Sequence, residues 1–246
     1  MAFQRGIVLF GDVVRSREWP GPTAAWLEQL CRELDTEYAD EQLAGFEFTQ
    51  GDEIQGLLDP LADPFRAIVS AALRPSEEVP EMRWAIVAGE VEPGHGPATR
   101  RSGPAFVKAR ETIELARHQR DTLLVHSGDD PTDAILEGTA PVLGTMMVHL
   151  RDRQRVIARL ALYEKLRQSE VADRLGIRRA TISVAFTRAD VRSLERLLGA
   201  VRTLWAQGMA ATGSSDPAAA AATATSDPGT ASSDPGAVAG DGIARP

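Results

Sequence analysis

The sequence predicts an α+β protein: a domain of βαββαβ strand and helix order, then an all-α domain, then a tail without a core. Three observations carry this. Strand-length apolar runs alternate with amphipathic helical periods from residue 1 to about 140. The periodicity turns wholly helical from residue 151. Beyond residue 208 the chain is Ala, Gly, Ser, Thr and Pro with hardly a large apolar side chain. The predicted division is 1–140, 141–207 and 208–246, and 246 residues are ample for two modest cores.

The elements follow in order. Residues 6–10 form a short apolar run and read as a buried strand. Thr23 caps a helix to about Tyr38, with Leu27, Leu30, Cys31 and Leu34 on one face. Phe46-Glu47-Phe48-Thr49 alternates as a strand does, meets Gln50-Gly51-Asp52, and returns through residues 54–58, which reads as a hairpin. Asp63 caps a helix bearing Phe65, Ile68, Val69 and Ala72. Residues 82–91 are the next strand, 104–118 the next helix and 122–126 a further strand.

This order is the split βαβ arrangement, in which the first and third strands lie side by side and antiparallel. The end of the first, at Asp12, then faces the start of the third, at Asp52 and Glu53. Converging carboxylates repel unless a cation sits among them. Mg²⁺ or Mn²⁺ with a nucleotide phosphate is one solution, since hard cations take oxygen ligands. The other reading makes Gly51-Asp52 a tight turn and Asp12 a loop cap. Spacing alone leaves both open.

The segments Leu9-Phe10-Gly11-Asp12-Val13-Val14-Arg15-Ser16, Thr49-Gln50-Gly51-Asp52-Glu53-Ile54-Gln55-Gly56 and Trp84-Ala85-Ile86-Val87-Ala88-Gly89-Glu90-Val91 resemble the SatD-like family, whose biochemical role is poorly defined. With Gly103-Pro104-Ala105-Phe106-Val107-Lys108-Ala109-Arg110 they are also more distantly similar to class III nucleotide cyclases, and Gln50-Gly51-Asp52-Glu53-Ile54 stands where GGDEF domains have their hairpin. The resemblance implies a palm-like (ferredoxin-like) fold, with Asp12, Asp52 and Glu53 as the metal-site acids and the Val13 carbonyl assisting. Gly11, Gly51, Lys108 and Arg110 would face the nucleotide, with Arg100 and Arg101 near its phosphates. The sequence departs from the cyclases where activity is concerned. Phe48 replaces a base-reading lysine, and Val107 and Glu111 replace the asparagine and arginine that steady ribose and transition state. The expectation is a ligand-sensing palm; the alternative is an Mg-dependent nucleotidyl cyclase.

In the helical part, residues 151–166 form a first helix. Ala172, Gly176 and Ile182 then carry helix-turn-helix spacing: a small residue where helices cross, a glycine for a left-handed turn, and an apolar plug. Arg178, Arg179, Thr181, Ser183 and Thr187 face outward, together with Val184, and suit phosphate and base-edge contacts. Arg167 and Arg178 stand where Ser or Thr caps are usual. The last helix, about residues 189–206, carries an apolar stripe of Leu194, Leu197, Leu198, Val201, Leu204 and Trp205, which suits a core or a homodimer interface. The expected partners are DNA, a nucleotide and a second copy.

The net charge of −8 excludes an indiscriminately basic coat, so DNA contact must come from the arginine-rich segment 151–202. The single Cys31 excludes an internal disulfide framework, and no apolar run is long enough to cross a bilayer. The expectation is a cytoplasmic protein. His95, His118, His126 and His149 show no metal-ligand spacing.

Overall fold

The structure is a computed structural model that describes residues 2–16, 23–49, 51–75 and 80–213. Five strands, β1 (Gln4–Val13), β2 (Gln42–Phe48), β3 (Glu53–Leu58), β4 (Met82–Val91) and β5 (Leu123–His126), form one sheet in the order β2-β3-β1-β4-β5. Each neighbouring pair among the first four is antiparallel, while β5 joins the edge parallel to β4. That is the expected split βαβ order with one strand added.

Strand periodicity assigns the two faces of the sheet. Ile7, Leu9 and Val13 of β1 point into a core shared with α1 (Thr23–Glu37), α2 (Phe65–Ala72) and α4 (Asp130–Val148). Val8 and Phe10 point the other way, under Ala105, Phe106, Ala109 and Ile113 of α3 (Pro104–Gln119). Asp12 shares that second face by the same alternation.

α4 has no counterpart among the sequence expectations. Its start is explained by Asp129, whose carboxylate accepts from the Thr132 amide at 3.1 Å. Its interior carries Gly138, Pro141 and Gly144, which blur the helical pattern. Gly144 is there for closeness, since a Cβ would meet Leu123 of β5 at 3.0 Å.

Four further helices follow: α5 (Asp152–Leu162), α6 (Gln168–Leu175), α7 (Arg179–Arg188) and α8 (Val191–Gly213). They do not enclose a separate core. The buried Arg155 guanidinium donates to the carbonyls of Val148 at 2.7 Å and Leu150 at 2.9 Å, and Arg159 reaches the Ser70 carbonyl at 2.7 Å. The Tyr163 hydroxyl donates to Glu37 at 2.8 Å, and Arg202 pairs with Asp63 at 2.7 Å. Trp205 meets Phe65 edge to face, with centroids 6.1 Å apart.

The expected domain boundaries therefore shift. Residue 140 lies inside α4, residue 207 lies inside α8, and one compact unit runs from Met1 to Thr212. The physical reason is that the α8 stripe joins one buried cluster with the sheet core, Trp205 meeting Phe65 of α2. α8 also outlasts the boundary expected at 208, because Gly208 lets it lie against Ser127 and Thr132. The expected disordered tail, from residue 214 onward, lies outside the described residues. No helix among the described residues is long and apolar enough to cross a membrane.

Candidate functional site

The β1/β3 register sets Asp12 opposite Glu53, as the split βαβ order requires, and the Val13 amide donates to the Asp52 carbonyl at 2.9 Å. The three acids therefore do converge at one sheet edge. Arginines pair with two of them, Asp12 and Glu53. Arg83 faces Asp12 across the β1/β4 ladder and donates to its Oδ2 at 2.9 Å. Arg117 reaches across from α3 and donates to Oδ1 at 2.8 Å. Arg110, one heptad earlier on α3, pairs with Glu53 and lies 4.7 Å from the centroid of Phe10. Gln55 donates to Glu53 at 3.0 Å, and Ser16 donates to Asp52 at 2.6 Å. The Asp12 hydrogen bond, assisted by the charges of Asp12, Asp52 and Glu53, outweighs burial and raises the Arg117 pKa further above its already high value.

This donor set does not fit a metal ion. Both Asp12 oxygens already accept from guanidinium groups, and the described residues hold no group of three or more His, Cys, Asp or Glu side chains placed as ligands. Of the acids expected to hold Mg or Mn, Asp12 and Glu53 are ion-paired in this geometry, and Asp52 accepts from Ser16. The sequence reading missed Arg83 and Arg117. Arg117 was findable: it stands seven residues after Arg110, two helical turns along one face. Arg83 needed the β1/β4 register.

The residues expected to face a nucleotide scatter. Gly11 belongs to packing, because a Cβ there would meet Met82, Ile54 and Trp84 side chains at 2.8–2.9 Å. Gly51 is exposed with nothing close by. Arg110 is tied to Glu53. Lys108 stands apart, in a cleft of about 480 Å³ shared with Glu90, His126 and Asp133 at the carboxyl ends of the parallel strands β4 and β5. Burial works against the Asp133 charge, yet the neighbouring His126 ring, 3.7 Å away, and hydrogen bonds from the Ser127 hydroxyl and the Ser127 and Gly128 amides hold its carboxyl below the ordinary range.

The expected DNA-facing residues behave differently. Arg178, at the N-cap of α7, and Arg179, Thr181, Ser183 and Thr187 on it are all exposed, while Ile182 and Phe186 of the same helix are buried. Gly176 closes α6 in the left-handed region, at φ 63°, with its amide bonded to the Asp173 carbonyl. Both α6 and α7 begin on an arginine with no side-chain cap, as the sequence suggested.

No protein family matches this chain. No curated protein matches it either. The SatD-like resemblance therefore rests on the quoted segments alone. A solved structure of a bacterial light-regulated adenylyl cyclase is similar at a TM-score of 0.37 and 16% identity, over 51% of this chain and 77% of that one. At that distance no residue role passes from one protein to the other.

Proposed function

We propose that this protein binds DNA through α7 and that its palm-like sheet is the sensing part of a regulator. The observation that carries the reading is the division of α7 into a buried side, Ile182 and Phe186, and an exposed row of two arginines and three hydroxyl residues. That chemistry suits phosphates and base edges. The charge distribution supports it: residues 151–202 hold thirteen Lys and Arg against six Asp and Glu, within a chain of net charge −8. A basic patch of this kind concentrates DNA contact on one surface.

Two-fold reading of an operator would require a homodimer. The α8 stripe does not offer that interface, because Leu194, Leu198, Val201 and Trp205 are buried within the protein. On the sensing side, the side chains of Arg110 and Arg117 are about half exposed, at 45% and 53%. They are the cations that would meet the phosphates of a nucleotide, releasing Glu53 and Asp12. The cyclase alternative needs Asp12 free of both its guanidinium partners.

The test is retention of DNA fragments selected for binding, measured by fluorescence anisotropy against nonspecific competitor. Arg178→Ala with Arg179→Ala is expected to weaken selected-site affinity by about 10- to 100-fold and to reduce its salt dependence. Unchanged affinity and salt slope would overturn the reading. A thermal-shift panel of nucleoside triphosphates and cyclic dinucleotides, with and without Mg²⁺, tests the sensing part.

A further inference from the structure

Between α5 and α7 lies a cavity of about 560 Å³, within the size range of small-molecule sites. Its lining has two chemistries. Ile157 and Ile182 are buried, and Ala185 and the half-exposed Val184 continue the apolar surface along α7. Arg151 and Arg153 at the start of α5 and Arg188 at the end of α7 supply three exposed guanidinium groups. None of the three has an ion-pair partner among the described residues. The two helix ends are tied together by Gln154, whose amide donates to the Arg188 carbonyl at 3.2 Å while its oxygen accepts from the Arg151 amide at 2.9 Å. The two helix ends that carry the cationic rim are thus held together beside an apolar interior.

Several arginines beside apolar surface in this protein have acids or backbone carbonyls as partners: Arg83 and Arg117 have Asp12, Arg110 has Glu53, Arg202 has Asp63, and Arg155 and Arg159 have carbonyls. The rim of this cavity has none. A bare phosphate would satisfy the rim and leave the apolar lining in water, whereas a neutral hydrocarbon would do the reverse. We infer that the cavity binds an organic carboxylate with an apolar body, such as a medium-chain fatty acid or a fused-ring aromatic acid. The carboxylate sits among Arg151, Arg153 and Arg188, and the apolar body lies against Ile157, Ile182 and Val184. Thr181 is both a lining residue and a member of the exposed row on α7, so the ligand competes with DNA for that surface. This last consequence rests on the DNA reading above; the binding itself does not.

The experiment is calorimetry and thermal shift on the full chain with decanoate and 1-naphthoate, with decanol and inorganic phosphate as controls. The carboxylates are expected to bind and to raise Tm by about 3 °C at ten times Kd. Arg153→Ala, on the exposed rim, is expected to weaken binding by about tenfold, and Ala185→Phe, which fills the cavity, to abolish it. The proposal is overturned if neither carboxylate binds, or if Arg153→Ala binds as the parent does. An equal response to phosphate alone would make the site a bare anion clamp, and an equal response to decanol a plain apolar cleft; either overturns it. Should Ala185→Phe fail to fold, Arg153→Ala still decides. Carboxylate binding in a protein that does not retain DNA would overturn the DNA reading and leave this one standing.

Discussion

Asp12 is a carboxylate at 3% exposure, held between Arg83 at 9% and the half-exposed Arg117. Removing one member of a buried ion pair leaves its partner uncompensated, which costs more than the pair itself contributes. Asp12→Asn is therefore expected to destabilise the protein by about 3 kcal/mol, because Arg83 keeps its charge and loses its counterion. Arg117→Ala should cost under about 1 kcal/mol, since water replaces most of what that side chain does. Chemical denaturation of the two variants checks the ordering, and Mg²⁺ is expected to leave the parent's midpoint unchanged. A metal-dependent rise abolished by Asp12→Asn would restore the metal site. Asp133 gives a pH prediction. Its folded pKa is lowered, so its contribution is present above the ordinary carboxylate range and lost as pH falls through the folded value. The stability gap between the parent and Asp133→Asn should be constant near neutrality and narrow in acid titration. A gap that widens toward low pH would contradict the assigned hydrogen bonds.

The elements differ in how they use glycine, and this yields a paired prediction. Gly56 of β3 lies under the Phe46 ring, where a Cβ would collide with the aromatic edge. Gly176 has open space around it but sits at φ 63°. Gly56→Ala should lose about 1–3 kcal/mol through overpacking, whereas Gly176→Ala should lose about 1 kcal/mol through backbone strain. Thermal melts of both variants check this, and a second substitution, Phe46→Leu, should relieve the first and leave the second untouched. The same contrast explains what the sequence made legible. β3, β4, α3 and the turn at Gly176 were readable because alternation, helical period and a lone glycine are local signals. The pairing of Asp12 with Glu53 followed from topology. α4 was not readable, since Gly138, Pro141 and Gly144 break its period while β5 and the neighbouring helices supply its stability. Nor was Arg83, which reaches Asp12 only through the β1/β4 ladder, a pairing over seventy residues of chain.

At the scale of the molecule the decisive fact is that sheet and C-terminal helices share one core. Leu194, Leu198, Val201 and Trp205 of α8 belong to the same buried cluster as Ile7, Leu9 and Ile86 of the sheet. The polar ties run the same way, from Arg155 and Arg159 of α5 to the carbonyls of Arg74 and Ser70 at the end of α2. Two domains with separate cores would melt in two steps, with the smaller losing structure first. A shared core predicts one transition instead. Trp205→Ala removes a large buried ring from the seam against Phe65 and should cost about 3–5 kcal/mol. That cost should appear equally in a probe of the sheet and a probe of the α7 surface, such as amide hydrogen exchange at Leu9 and at Ile182. Loss of protection at Ile182 with Leu9 unchanged would mean that the helices unfold alone. Equal loss would mean that anything bound at the arginine-held acids or beside α7 acts on a single folding unit, so that binding at one can couple to binding at the other.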